Sequence, residues 1–223
     1  MGRVLVVNSG SSSLKYQLID TPGVDPTTPG DTVAPDARSA TRLARGIVER
    51  IGRGGAAMAH GYLDEHGAWQ ESRLSAVVPD HDAALRSVVD ALGKVGLDTG
   101  VVAVGHRVVH GGDRFVAPTV IDDAVLDQMR ALVPLAPLHN PANITGIEVA
   151  QRLWPDVPQV AVFDTAFHAT LPPEAYRYAV PESWYAEHGV RRYGFHGTSH
   201  AFVSREAARL LDGRPEDLRL ITL

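Results

Sequence analysis

The segment that follows the first apolar run of the chain contains residue types that often bind phosphate. Residues 8–13 read Asn-Ser-Gly-Ser-Ser-Ser, and Lys15 stands two positions further on. Small residues leave backbone N–H groups accessible in a tight turn, hydroxyls add donors, and lysine supplies a point charge. The segment lacks the Gly-Lys-Ser/Thr ending and the following helix of a Walker A loop. It is a candidate phosphate loop, with an ordinary polar hairpin as the alternative.

Three further segments carry side chains that could take part in a functional site. Arg107 ends an apolar run, and its guanidinium fork suits a carboxylate or a phosphoryl oxygen, or else a structural ion pair. Asp164 follows a short apolar run, which is where α/β proteins commonly hold functional groups, although a helix cap is the alternative. His196 lies between Gly194 and Gly197, in a loop that leads into a predicted helix whose N-terminus favours an anion.

Residue types exclude or disfavour several other kinds of site. The chain contains no cysteine, which excludes disulfides, thiolate zinc sites and cysteine nucleophiles and fits a reducing compartment. His106 and His110 are four residues apart, but no helix is predicted there and no HExxH glutamate is present, which disfavours zinc. There is neither a GxSxG elbow nor a GxGxxG fingerprint. Hydrolase and dinucleotide chemistry therefore have no support.

Charge and hydropathy disfavour nucleic-acid and membrane partners and leave a phosphorylated small molecule as a possible ligand. The 21 Lys+Arg against 26 Asp+Glu give a net charge of −5, which disfavours a broad nucleic-acid surface. No apolar run approaches the roughly 18–20 residues that a membrane span needs. The N-terminus has no secretory signal pattern. We therefore expect a cytoplasmic protein with neither nucleic-acid nor membrane partners.

The elements that must position these side chains alternate between strands and helices. The 223 residues are 44% hydrophobic, enough for one large domain or two modest ones, and the alternation predicts an α/β fold. Residues 21–40 are rich in Pro, Gly, Thr and Asp and are expected to form a surface insertion. Periodicity predicts strands over 4–7, 14–19, 42–51, 68–75, 101–109, 159–163 and 218–223, and helices over 81–95, 122–133 and 140–153. We expect Asp80 or Asp82 to cap the first helix and Gly96 to end it, and Asn140 to cap the third. Thr198 or Ser199 is expected to cap a fourth helix.

Five segments resemble sequence blocks of the acetate kinase family, in the family's order. NSGSSSLKY at 8–16 and RRYGFHGTSH at 191–200 are similar to its two signatures, and GHRVVHGG, PLAPLHNPAN and VFDTAFH match further blocks. The family belongs to the acetate and sugar kinase, Hsp70 and actin superfamily, with two ribonuclease-H-like domains around a mixed sheet. The resemblance implies an N-terminal domain over 1–165 and the start of a second such domain over 166–223, from a chain about twice as long.

The resemblance also implies an activity. Acetate kinases transfer the γ-phosphoryl group of ATP to acetate by direct in-line displacement, reversibly and with Mg²⁺ or Mn²⁺, and form homodimers. A propionate or butyrate kinase is the alternative among enzymes, and a non-catalytic nucleotide-binding module is the alternative for these 223 residues. Further site segments of the family follow the matched half, so we expect no acetate-dependent ATP turnover from the 223 residues alone. The physiological direction of the reaction stays open.

Roles for individual residues follow from the resemblance. Arg107 would bind the carboxylate or the transferring phosphoryl group, His196 would donate to the transition state, and Asp164 would position the metal or the guanidinium. The other implied roles are Asn8 for Mg²⁺ and phosphate, Lys15 for nucleotide phosphates, Ser11 and Ser13 for the loop, His139 for the lining of the site, and Val109, Leu138 and Phe195 for an apolar pocket around the substrate methyl group.

Overall fold

The structure is a computed structural model that describes residues 2–21, 40–75 and 77–222. The predicted insertion over 21–40 lies outside the described residues except for its two ends. At those ends, Thr21 closes one strand and Ala40 precedes the next.

Across the ranges that the structure describes, eight strands form one mixed sheet, in the order β5-β4-β3-β2-β1-β6-β8-β7. The pairs β1–β6 and β6–β8 are parallel, and the other neighbouring strands are antiparallel. The strands are β1 Gly2–Ser9, β2 Ser13–Thr21, β3 Thr41–Glu49, β4 Ala57–Leu63, β5 Trp69–Ser75, β6 Val101–Val108, β7 Thr119–Val120 and β8 Gln159–Phe163. The predicted α/β class is confirmed.

In the described residues, six helices accompany the sheet. They are α1 His81–Gly93, α2 Asp123–Ala131, α3 Asn140–Leu153, α4 Pro173–Tyr176, α5 Glu182–His188 and α6 Gly197–Leu210. Helix α1 begins as predicted, because the Asp80 carboxylate accepts the N–H of Ala83. It ends at Gly93, and Gly96 at φ 70° then reverses the chain. Helices α1 and α3 pack against each other.

Alternation along β1 explains why one face of the sheet carries the core. Leu5 and Val7 are buried on the face that α1 and α3 cover, whereas Val4, Val6 and Asn8 are half-buried on the other face. A second apolar cluster lies among β6, β8, α2 and α3, where the rings of Phe115 and Phe163 stack at 4.5 Å. The opposite face of the sheet is left for the site.

Three boundary predictions are wrong. Asn140 does not cap α3, because it lies inside the first turn and its amide binds backbone groups elsewhere. Neither Thr198 nor Ser199 caps α6. The helix begins at Gly197, so both residues lie within its first turn. Residues 218–222 form no strand, because they pair with none of the eight strands in the described chain.

Strand β4 was not expected from the sequence, since its run Ala-Met-Ala-His-Gly-Tyr-Leu has no clear period of two.

Within the described ranges, no helix has both the length and the hydrophobicity that crossing a bilayer requires.

Candidate active site

Strand pairing brings three of the predicted site residues to one face of the sheet. Asn8 on β1 lies opposite Lys15 on β2. Val6 lies beside Gly105 on the parallel strand β6, so Arg107 is two residues further along on the same face as Asn8. Asn8, Lys15 and Arg107 all line one cavity of about 1130 Å³.

The cavity lies over the sheet face that the helices leave open. Its floor is apolar and half-buried, and its rim carries several cationic side chains. The floor residues include Val4, Val6, Ile47, Ala103, Val160 and Val162. The rim cations are Lys15, Arg45, Arg73 and Arg107, of which Arg45 is paired with Glu71 at 3.1 Å. An anion that enters the cavity would therefore meet positive charge beside an apolar surface.

Arg107 and Asp164 form an ion pair between neighbouring strands. Arg107 Nε donates to both carboxylate oxygens at 3.1 Å, and Nη2 donates to Oδ2 at 2.6 Å. Thr198 Oγ1 donates to Oδ1 of the same carboxylate at 3.2 Å and lines the cavity. The Asp164 side chain is 1% exposed and that of Arg107 is 33% exposed. The structural ion pair that the sequence left open is thus present, and the guanidinium keeps further N–H donors toward the cavity.

Of the two roles implied for Asp164, the structure contains the contact with the guanidinium. One carboxylate oxygen of Asp164, Oδ1, accepts hydrogen bonds from both Arg107 and Thr198. The contacts with Arg107 fix the plane of its guanidinium group. The pairing requires that β6 and β8 be neighbours in the sheet.

His196 lies next to this pair, immediately before α6. It is exposed and adopts the left-handed conformation, at φ 55°. The N–H of the following residue, Gly197, donates to the Asp164 carbonyl at 2.8 Å. A Cβ at Gly197 would collide with that carbonyl oxygen, so glycine permits the approach. The structure therefore brings the backbone at His196 to that of Asp164.

Two asparagines of α3 hold the strand ends that carry the site, and sequence reasoning missed both. Asn143 accepts the Val109 N–H at 3.1 Å and donates to the Ser9 carbonyl at 2.6 Å, joining the ends of β1 and β6. Asn140 accepts the His110 N–H at 3.2 Å and donates to the His110 carbonyl at 3.0 Å. Both asparagines are buried. The available signal was the segment His-Asn-Pro-Ala-Asn, in which two amides lie three residues apart on one helix face.

The residues predicted to surround the substrate methyl group lie on segments that meet at His110. Val109 precedes His110, and the ring of Phe195 packs edge-on against the His110 ring at 5.6 Å. Leu138 and His139 lie in the turn before α3, whose Asn140 binds the His110 backbone. Leu138 is 78% exposed and Phe195 is 48% exposed, and none of Val109, Leu138, His139 and Phe195 lines the large cavity. The methyl pocket stays a prediction.

The turn between β1 and β2 contains the remaining predicted residues, Ser11 and Ser13. It closes through a hydrogen bond of 2.8 Å from the Gly10 N–H to the Ser13 carbonyl. The Gly10 carbonyl in turn accepts from the His81 ring at 2.7 Å. Ser11 is exposed and Ser13 begins β2. The turn joins two antiparallel strands and so forms a hairpin, and the role of its hydroxyls in binding phosphate stays a prediction.

The two histidines of the 105–112 segment are buried. Burial lowers the pKa of His106 to about 4, although a hydrogen bond of 2.8 Å with Gln159 opposes the shift. Burial also lowers the pKa of His110, whose Nδ1 accepts the Gly112 N–H at 2.9 Å. Both rings are therefore neutral at pH 7 and engaged within the protein. In the part of the chain that the structure describes, no three His, Cys, Asp or Glu side chains form a metal-binding group.

The donor set near Asn8 fits a metal ion that arrives with phosphates better than an all-protein site. Mg²⁺ usually takes one or two protein oxygens and fills its other positions with water and substrate phosphates. Asn8 offers one amide oxygen on the cavity wall, while the Asp164 carboxylate is engaged with Arg107 and Thr198. Lys15 and Arg107 would repel a bare cation and attract a metal–phosphate complex.

A mixed sheet whose strand ends present an arginine–aspartate pair and a tight polar turn defines an α/β protein with a cleft lined by cationic side chains. The sequence profile of the Acetokinase family matches residues 3–223. The acetate kinase of Streptomyces griseus is 53% identical over 224 residues, an alignment that covers 99% of this chain and 50% of the relative. The chain belongs to the acetokinase family. It spans about half the length of the curated relatives that it matches.

Solved structures agree with this assignment. The acetate kinase of Porphyromonas gingivalis superposes with a TM-score of 0.80 at 39% identity, over 96% of this chain and 50% of that one. A propionate kinase from Francisella tularensis gives a TM-score of 0.81 at 35% identity, with the same coverage of both chains. The chain therefore has the fold of the acetate and sugar kinases, Hsp70 and actin, as its sequence predicts.

Proposed function

We propose that the protein containing this chain is an acetate kinase, which transfers the γ-phosphoryl group of ATP reversibly to acetate. One observation carries the proposal: Asn8, Lys15 and Arg107 share the wall of one cavity, and the buried Asp164 orients Arg107. Membership of the acetokinase family and 53% identity with a Streptomyces griseus acetate kinase support it.

The chemical obstacle in this reaction is the approach of two anions. Acetate is already a carboxylate at pH 7, so no base is needed to activate it. One carboxylate oxygen attacks the γ-phosphorus in line, the bond from phosphorus to the β–γ bridging oxygen breaks, and ADP leaves with that electron pair. No proton is released or consumed. The site must supply positive charge and donors that oppose the negative charge spread over the phosphoryl oxygens.

Arg107 is suited to that task. Asp164 engages Nε and Nη2, and this leaves the Nη1 hydrogens for a phosphoryl or carboxylate oxygen. Because the carboxylate locks the guanidinium plane before substrate arrives, little reorganisation accompanies the transition state. Lys15 would neutralise nucleotide phosphates as a point charge, beside the Ser11 and Ser13 turn.

His196 would donate a ring N–H to the transferring group. Its backbone is joined to that of Asp164 through the hydrogen bond from the Gly197 N–H to the Asp164 carbonyl. Asn8 would contribute one ligand to Mg²⁺ or Mn²⁺ bound with the nucleotide. When bound, that metal would neutralise phosphate charge.

A second candidate function differs from the first only in the size of the substrate. A pocket formed by Val109, Leu138 and Phe195 would contact only the methyl group of acetate. One extra methylene in an apolar pocket changes specificity by only about 10–200-fold. The similarity to a propionate kinase structure keeps propionate as the alternative substrate.

The organisation of the whole protein is part of the proposal. We propose an N-terminal domain over 1–165 and a second domain that starts at residue 166. The two apolar clusters draw on residues up to Ala166, which supports that boundary. We also propose that the protein is a cytoplasmic homodimer, and that nucleic acid and membranes are not its partners.

The test is a fusion of this chain to the matching second half of the Streptomyces griseus acetate kinase, assayed for acetyl phosphate. Purified fusion would be supplied with ATP, Mg²⁺ and acetate, propionate or butyrate in parallel, and the 223-residue chain alone is the matched control. We expect acyl phosphate formation by the fusion, fastest with acetate, and none by the chain alone.

Faster turnover of propionate than of acetate would replace the proposed substrate with the alternative. A fusion that unfolds cooperatively and binds ATP, yet forms no acyl phosphate from any of the three acids, would overturn the proposed function.

A further inference from the structure

His196 has a backbone conformation that is energetically unfavourable for a histidine. Its φ of 55° lies in the left-handed region, which favours glycine, so its surroundings must select it. After His196, the Gly197 N–H is fixed by the Asp164 carbonyl at 2.8 Å. Before His196, a different contact performs the same function.

That contact is made by His168. Its Nε2–H donates to the carbonyl of Phe195, the residue immediately before His196, at 3.0 Å. Its ring also packs against Gly194, where a Cβ would lie 2.5 Å from His168 Cδ2. Gly194 has a φ of 77°, so the loop reverses on the histidine ring. The peptide bond that enters His196 is therefore fixed by His168.

His168 is itself rigidly attached to the segment that carries the acid. It lies four residues after Asp164 and ends the short 3-10 helix Ala166–His168, and its N–H donates to the Thr165 carbonyl at 3.1 Å. Its ring also lies edge-on to that of His200 on α6, at 5.7 Å. The turn after β8 thus holds the backbone on both sides of His196.

We propose that His168 is a positioning residue that keeps His196 in its left-handed conformation and thereby aims its ring at the transferring phosphoryl group. The part of this proposal that concerns catalysis rests on the proposed function. The part that concerns the backbone does not, because it follows from the hydrogen bond to Phe195 and the packing on Gly194. His168 touches no substrate in this account, and it acts through His196.

Three substitutions separate the hydrogen bond from the ring. His168→Ala removes both, His168→Gln keeps an N–H donor, and His168→Phe keeps an aromatic ring but no donor. His188→Ala is the matched control, because His188 is an exposed histidine at the end of α5.

The first readout is the sign of φ at His196, measured by NMR cross-correlated relaxation in the 223-residue chain. We expect a positive φ in the parent chain, in His168→Gln and in His188→Ala, and an average over both signs in His168→Ala and His168→Phe. A positive φ that persists in His168→Ala overturns the proposal, whatever the enzyme does.

The second readout is acetyl phosphate formation by the fusion described above. We expect kcat to fall by about 10–100-fold in His168→Ala with KM for acetate and ATP unchanged, since a displaced catalytic group costs turnover rather than binding. His168→Gln should recover most of the loss, and His168→Ala should add nothing to His196→Ala.

The two proposals fail differently. If His196→Ala is fully active, His196 is not catalytic, and the φ measurement alone decides the role of His168. If His196→Ala is impaired but His168→Phe is as active as His168→Gln, the hydrogen bond has no positioning role and the proposal is overturned.

Discussion

Replacing Arg107 with alanine should leave the Asp164 carboxylate buried without its cation. The carboxylate is 1% exposed and loses three N–H contacts, keeping only the bond from Thr198. Removing one partner of a buried pair costs about 3–5 kcal/mol in general. Here Arg107 is one-third exposed to the cavity, so water partly replaces it, and we expect a loss of about 2 kcal/mol in the free energy of unfolding.

The assay is urea unfolding of the 223-residue chain at pH 7, with m-values compared among variants. The matched control is the double variant Arg107→Ala/Asp164→Asn, which removes the stranded charge and keeps an acceptor for Thr198. We expect it to recover more than half of the loss, because the stranded charge contributes more to the loss than the lost packing does. An Arg107→Ala chain within about 0.5 kcal/mol of the parent, or a double variant less stable than the single one, would refute this reasoning.

Burial lowers the pKa of His106 to about 4, so the unfolded chain binds a proton more readily and stability should decline as pH falls below about 6.5. In urea titrations we expect a loss on the order of 2 kcal/mol between pH 7 and pH 5 from His106. His106→Gln should lose less stability over that range than the parent chain, and an equal loss in both would contradict the assignment. Gly197→Ala pushes a methyl group onto a carbonyl oxygen and should lower the melting temperature by roughly 5 °C, whereas Gly54→Ala, with open space around it, should not change it. Asn143→Leu leaves two backbone groups without their partner and should cost about 2–4 kcal/mol, and an unchanged unfolding curve would contradict that contact.

Elements with local signals are the ones that the sequence predicts well. Helix α1 has an aspartate cap, a period of 3.6 and a glycine stop, all within one segment. The terminal run 218–223 has strong strand propensity, yet residues 218–222 are not in a strand, because a strand exists only where another strand accepts its hydrogen bonds. Local pattern cannot supply that neighbour.

The site divides in the same way. Arg107 and Asp164 are identifiable one at a time, because each ends an apolar run. Their ion pair depends on β6 and β8 being adjacent, which is a property of the sheet order. Asn143 is harder still, since it reaches the Ser9 carbonyl 134 residues away in the chain. Side chains that bind backbone groups far away along the chain have no local sequence signature, whereas charged side chains at strand ends do.

The measurement that tests the central claim most directly is the kcat for acetyl phosphate formation by the fusion and by its Arg107→Ala and Arg107→Lys variants. We expect alanine to lower kcat by about 10²–10³-fold, the loss typical of one charge-stabilising donor. Lysine should restore only part of it, because a point charge replaces neither the fork nor its contacts with Asp164. Unimpaired turnover in a folded Arg107→Ala fusion would contradict the claim that phosphoryl transfer takes place at this arginine.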